Sequence, residues 1–186
     1  QLGQIYAWGA NSFGQLGVGD QEDRLRPTPC MPNAVVNALG APQITAISCG
    51  ARHSMACSPS GLLVWGANKF GQLGLGHKDD CLAPTEVPYL ERQVVVQVAG
   101  GWRQSMVLTN RNELYAWGHT SAVSQDSVDF RSSEDRTSAV TLTPKVMPMS
   151  SSRRIEIMLC AWSHTLSVTS ITLSATKVFK VPNGGG

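Results

Sequence analysis

The chain has 186 residues, enough for about one domain, and its 42% hydrophobic and 15% charged content suits a packed globular protein rather than a disordered one. A net charge of +2, from 15 basic and 13 acidic residues, gives no bulk electrostatic case for nucleic acid, chromatin or a membrane surface. No apolar run reaches the length of a membrane span, and the opening QLGQIYAWG lacks the basic-then-apolar pattern of a secretion signal.

Along the chain, short apolar stretches alternate with turn chemistry. IYAWG (5–9) leads into the glycine-spaced phrase GANSFGQLGVGD (9–20), then the charged QEDRLR (21–26) and PTPCMP (27–32). ITAIS (44–48) has the apolar pattern and length of a strand, and SMACS (54–58) returns after a tight turn as its hairpin partner. SPSG is turn chemistry, and LLVW (62–65) follows it. The order then repeats: GANKFGQLGLGH (66–77), HKDD (77–80), PTEVP (84–88), VVVQVAG (94–100), SMVLT (105–109), TNRN and ELYAW (113–117). A third round keeps TPKVMP (143–148), IEIML (155–159) and TLSVT (165–169).

The phrases keep a fixed order at steps of about 50–60 residues, and helical periodicity is poor throughout. Four short strands per unit is the signature of a β-propeller, so the fold class is expected to be all-β. The approximate repeats are 5–62, 63–113 and 114–181, within one partial propeller domain spanning 1–186. The polar stretch inside 119–141 is expected to be a long mobile loop. QIYAWG opens in the middle of a unit, and the chain is expected to be part of something longer.

The glycine phrases could be read as a phosphate cradle or as the stamp of a repeated fold. A cradle needs a strand, a glycine turn and a helix whose N-terminus faces the anion. DQEDRLRPTP and HKDDCLAPTE follow instead, and no G-K-[ST] is present. The repeat reading is preferred: Gly14, Gly17 and Gly19, and likewise Gly71, Gly74 and Gly76, turn the chain between strands. Phe13, Phe70, Leu16 and Leu73 would pin the loop, and the Gln15 and Gln72 amides would tie its backbone.

A second ladder aligns ISCGARHSM (47–55), VAGGWRQSM (98–106) and MLCAWSHTL (158–166). It places His53, Gln104 and His164 at one position, with Gly50 and Gly101 matched by Ala161. A residue that recurs once per unit is expected to be structural. His53 is therefore expected to bond neighbouring strand backbone, with Ser54, Ser105 and Thr165 in a similar role. Trp8, Trp65 and Trp117 recur on strands and are expected in the core. The five cysteines form no C-x-x-C pair, and they read as reduced thiols rather than a disulfide framework or zinc site.

WGANSFGQLGVGD, WGANKFGQLGLGH and ISCGARHSM together resemble the regulator of chromosome condensation repeat family, over nearly the whole chain. The resemblance implies about three propeller blades. The third unit departs from it: AVSQD (122–126) stands where FGQLG is due, and ATKVFKV replaces a fourth WG phrase. The resemblance implies a protein-interaction propeller, with guanine nucleotide exchange on a small GTPase through a loop face as the leading role. A scaffold or substrate-recognition propeller of a ubiquitin ligase or kinase is the alternative, and a tryptophan-based UV-B sensor is a minor one. The family's light sensors use G-W-R-H-T motifs, which only GWRQS (101–105) approaches.

No catalytic, cofactor-binding or metal-binding residue is assigned. Candidate partner contacts are Arg24, Arg26, Lys78, Asp79, Trp102, Arg103 and Trp162. The expected partner is a protein, with a small GTPase first. Self-association or pairing with missing blades is a further expectation, because three units leave open strand edges. The expected location is nuclear or cytoplasmic.

Overall fold

A computed structural model describes residues 4–30, 44–58, 61–120, 139–147, 157–160 and 166–169. Every regular pairing in them is antiparallel between chain neighbours. β1 (Tyr6–Gly9) and β2 (Arg24–Pro29) form a two-stranded sheet. β3 (Ala46–Cys49), β4 (His53–Ser58), β5 (Gly61–Gly66) and β6 (Cys81–Glu86) form a four-stranded one. β7 (Val95–Gly100), β8 (Gln104–Thr109), β9 (Leu114–Thr120) and β10 (Ala139–Val146) repeat it. β11 (Ile157–Cys160) pairs with β12 (Leu166–Thr169). A single 3-10 turn, Pro88–Leu90, links the two larger sheets.

The two four-stranded sheets share a register. Ser54 lies opposite Trp65 on β4 and β5, and Ser105 lies opposite Trp117 on β8 and β9. The third strand of each unit carries W-G, and the pairing with the outer strand shifts register there or nearby. Gly66 and Gly118 take φ of +102° and +91° at this point. A side chain at either would meet backbone of Arg52–His53 or Arg103–Gln104, so glycine is required by conformation and by space. The outer strands contain Pro27, Pro84 and Pro144. Proline removes a ladder donor, which only an edge strand tolerates.

Side chains alternate across β4 and β5, and both faces are buried. Met55, Cys57, Leu62 and Val64 join Leu73, Val87, Leu90, Val95, Val107 and Trp117 in a core toward the following sheet. Ala56, Leu63 and Trp65 turn the other way and pack with Cys30, Ile5 and Ala7 of the preceding one. The inner strands sit side by side: the Gly100 N–H donates to Ser48 Oγ at 3.0 Å, and the Ala51 N–H to the Gly101 carbonyl at 3.1 Å. Sheets stacked face on face around their first strands are blades. The chain is an all-β partial propeller.

β9 runs through Thr120 and β10 starts at Ala139, and residues 121–138 of the stretch expected to be a loop lie outside the described residues.

Candidate functional site

The two glycine phrases form matching loops between β1 and β2 and between β5 and β6. Asn11 and Asn68, each 0% exposed, are their centres. Asn68 Oδ1 accepts the Leu73 N–H at 3.0 Å, and its amide donates to the His77 and Asp79 carbonyls at 2.9 and 3.1 Å. Asn11 does the same with Leu16 and Asp20. Gln15 Oε1 and Gln72 Oε1 accept the Phe13 and Phe70 N–H groups, each at 2.9 Å, as the sequence suggests. Gly14, Gly17, Gly71 and Gly74 all have φ near +70°, and successive tight turns run through them. The glycine N–H groups are spent on these turns and on the next sheet, and strands rather than a helix follow both loops, which is not the build of a phosphate cradle.

Each loop reaches across to the following blade. The Gln15 carbonyl accepts Trp65 Nε1–H at 2.9 Å and Ser54 Oγ–H at 2.8 Å. The Gln72 carbonyl accepts Trp117 Nε1–H at 2.8 Å and Ser105 Oγ–H at 2.6 Å. A Cβ at Gly17 or Gly74 would fall 2.7 Å from the indole nitrogen beneath it. Trp65 and Trp117 are buried as expected, at 3% and 0%. Trp8 is a correction: it is 60% exposed. What buries the other two is the loop of the preceding unit, and no loop among the described residues lies over Trp8. Gly19 and Gly76 close the loops by donating N–H to the Leu82 and Leu142 carbonyls of the next blade.

His53 is fully buried, but it does not bond strand backbone as expected. Its Nε2 lies 2.8 Å from Ser105 Oγ in the adjacent blade. The Ser105 hydroxyl proton points to the Gln72 carbonyl, so Nε2 must carry the ring proton and donate. Nδ1 is then a buried acceptor that has no partner among the described residues. Burial pushes the imidazole down to about 4. A serine beside a histidine invites comparison with a catalytic pair, yet no acid orients Nδ1 and neither group is accessible. The pair is an interblade tie. Gly50 is required because a Cβ there would overlap the His53 ring, and the Gly101 carbonyl pins the facing turn to Ala51.

A different set of side chains stays partly exposed on the loop side of the blades. The Arg52 guanidinium lies 4.5 Å over the Phe13 ring, and the Arg103 guanidinium lies 4.1 Å over Phe70 and 4.2 Å over Trp102. His119 stacks on Phe70 at 5.8 Å. Trp102 remains 40% exposed, and Lys69 beside Phe70 is exposed. Each arginine immediately precedes the second strand of its blade, and each phenylalanine comes from the loop of the preceding unit. Phe13 and Phe70, expected to pin the loops, carry the arginines. Ala51 stands where the next blade has Trp102, so the tryptophan pairing across blades that light sensing needs is not formed there.

Among the remaining candidates, Arg24 is engaged with Asp20 and Glu22, and the Glu22 N–H first and Arg24 second hold the Asp20 carboxyl below its ordinary range. Arg26 is exposed on β2, and Lys78 and Asp79 are exposed in the outer part of the loop between β5 and β6. Trp162 and His164 lie outside the described residues. The sequence reading passed over Asn11, Asn68 and the Arg–Phe pairing. The signals were the shared G-A-N and the arginines of ARHSM and WRQSM. Cys30, Cys49, Cys57 and Cys81 are thiols, and no group of three metal-binding side chains occurs among the described residues. No helix among them is long and apolar enough to cross a membrane.

Residues 3–57 and 61–108 match the regulator of chromosome condensation (RCC1) repeat, and 44–72 match a second form of it. The chain is 34% identical over 168 residues to the Arabidopsis thaliana ultraviolet-B receptor UVR8, covering 90% of this chain and 35% of that protein. It is 37% identical over 115 residues to the mouse (Mus musculus) secretion-regulating guanine nucleotide exchange factor, covering 61% and 24%. Prp20p of Saccharomyces cerevisiae, whose crystal structure is described with its binding to Gsp1p and histones, superposes with a TM-score of 0.66 at 25% identity, over 86% of this chain and 37% of that one. The chain spans about a third or less of the curated relatives' length.

Proposed function

We propose a protein-binding role from one premise: the chain belongs to the regulator of chromosome condensation (RCC1) repeat family. The observation that carries the reading is a division of labour among the repeated residues. Tryptophans 65 and 117, His53, the serines, the asparagines and the glycines are spent on holding blades together. Arg52 and Arg103 recur at the loop side, and with Trp102 they keep surface open to a partner. Exposed tryptophan and arginine are the residue types that dominate protein interfaces.

The specific role we favour is guanine nucleotide exchange on a small GTPase, with the nuclear or cytoplasmic location that it carries. Its support is the likeness to the mouse exchange factor and to Prp20p. The test is capture from cell lysate with and without EDTA, which strips nucleotide from GTPases, read by mass spectrometry. A small GTPase enriched only after stripping is the expected result. An unrelated partner in both conditions would turn the reading to a scaffold or substrate-recognition blade.

A second reading concerns β1, which among the described residues pairs only with β2 and presents Trp8. Further blades, or a second copy, would cover that edge. Light scattering that gives a stable monomer with a cooperative melt would count against it.

A further inference from the structure

We infer that the rim made by Arg52, Arg103, Trp102 and Lys69 docks an acidic, partly apolar segment of a protein partner. The inference rests on the protein-binding reading and names the chemistry of the bound segment.

A guanidinium lying on an aromatic ring uses one face. Its N–H groups lie in the plane, so the edges stay available for a carboxylate, and the ring holds them in place before binding. Arg52 on Phe13 is such a group, and Arg103, at the same position of the next blade, lies over both Phe70 and Trp102 and offers its edges. Among the described residues Arg24 pairs with Asp20 and Glu22, His77 Nδ1 lies 3.8 Å from an Asp79 oxygen, and no ion pair engages Arg52 or Arg103. The other loop acids are tied locally: Asp23 Oδ1 takes the Asn11 N–H and Asp80 Oδ1 the Asn68 N–H, each at 2.7 Å. The rim therefore has preset donors and exposed Lys69 without a neutralising carboxylate among the described residues.

Two features favour an acidic protein segment over a nucleic acid. The chain carries a net charge of only +2, which gives no broad positive field for a continuous phosphate backbone. Trp102, at 40% exposure beside Arg103, offers an apolar contact that suits a Leu or Phe set among Asp and Glu.

The test is fluorescence anisotropy of the whole chain with a labelled peptide of alternating Glu and Leu, a copy with Gln for Glu, and a DNA oligonucleotide of similar length. The Glu peptide should bind more tightly than both, and added salt should weaken it. Arg103→Gln and Arg52→Gln should together weaken it on the order of tenfold or more. Arg103→Lys should recover only part of the loss, because the planar stack is gone. Arg111→Gln, in the turn between β8 and β9, should bind as the parent does. Thermal melts of each variant show that the fold is retained, and the single variants serve if the double one does not fold. Equal binding of the Glu and Gln peptides, indifference to both arginine variants, or preference for DNA would each overturn the inference. Lysate capture separates it from the broader reading. A partner that the Arg52→Gln, Arg103→Gln protein still captures overturns acidic docking and leaves protein binding standing. No partner and no peptide binding overturns both.

Discussion

His53 Nε2 lies 2.8 Å from Ser105 Oγ, and this bond crosses from β4 of one blade to β8 of the next. The ring is neutral and buried, with a pKa near 4 against 6.5 for a free imidazole. Between those values the unfolded chain binds more protons than the folded one. The contribution of His53 is therefore complete above about pH 6.5 and is lost progressively as pH falls toward 4. By linkage the full loss is roughly 3 kcal/mol. Urea unfolding at a series of pH values should show this fall. His53→Gln should flatten it, since Gln104 occupies the same position on β8 and does not titrate. An equally steep fall in His53→Gln would place the titration elsewhere.

The glycine loops separate two costs. Gly74 has φ +71°, and a Cβ would meet the Trp117 indole at 2.7 Å. Gly19 has φ +94° and nothing within 4 Å. Gly19→Ala should cost about 1–2 kcal/mol, the strain of a left-handed backbone alone. Gly74→Ala should cost more by about 1–3 kcal/mol, because the tryptophan must also move. Thermal melts of the two variants measure the difference, and equal losses would mean that the loop gives way freely.

Most of this architecture was legible because its signals are local and repeated. W-G, FGQLG and the H/Q-S-M phrase each recur at a fixed order, and the loop amides of Gln15 and Gln72 do what their spacing implies. The outer strands were harder. Pro27, Pro84 and Pro144 make RLRPTP, CLAPTE and AVTLTPKV look like connections, and only their place at the blade edge lets them pair. The His53 partner was not legible, since Ser105 is 52 positions away and the bond depends on how blades stack. The Arg–Phe stacks were hidden for the same reason: each joins the loop of one unit to the turn of the next.

Asn68 is the largest single hydrogen-bonding debt that a substitution could create in the loop between β5 and β6. Its side chain satisfies Leu73 N–H and the His77 and Asp79 carbonyls while fully buried. Asn68→Ala should destabilise by about 2–4 kcal/mol by leaving those groups unpaired. Asn68→Asp keeps an acceptor for Leu73 but aims a carboxylate at carbonyl oxygens, and it should rescue little. Chemical denaturation of both variants is the measurement. A loss of under about 1 kcal/mol for Asn68→Ala would show that water replaces the amide.

Trp8 and Trp65 occupy the same position in successive units, yet one is 60% exposed and the other 3%. Trp65 donates to the Gln15 carbonyl and packs with Cys30, Ala56 and Leu63, whereas Trp8 has no loop over it among the described residues. Trp65→Ala should cost about 3–5 kcal/mol, the range for deleting a buried aromatic. Trp8→Ala should stay within about 1 kcal/mol, as exposed positions usually do. Acrylamide should quench a variant that keeps only Trp8 far more than one that keeps only Trp65. If Trp8 were instead shielded and its loss as costly as that of Trp65, something would already cover the β1 edge, and a concentration series by light scattering would separate a second copy from this chain's own residues.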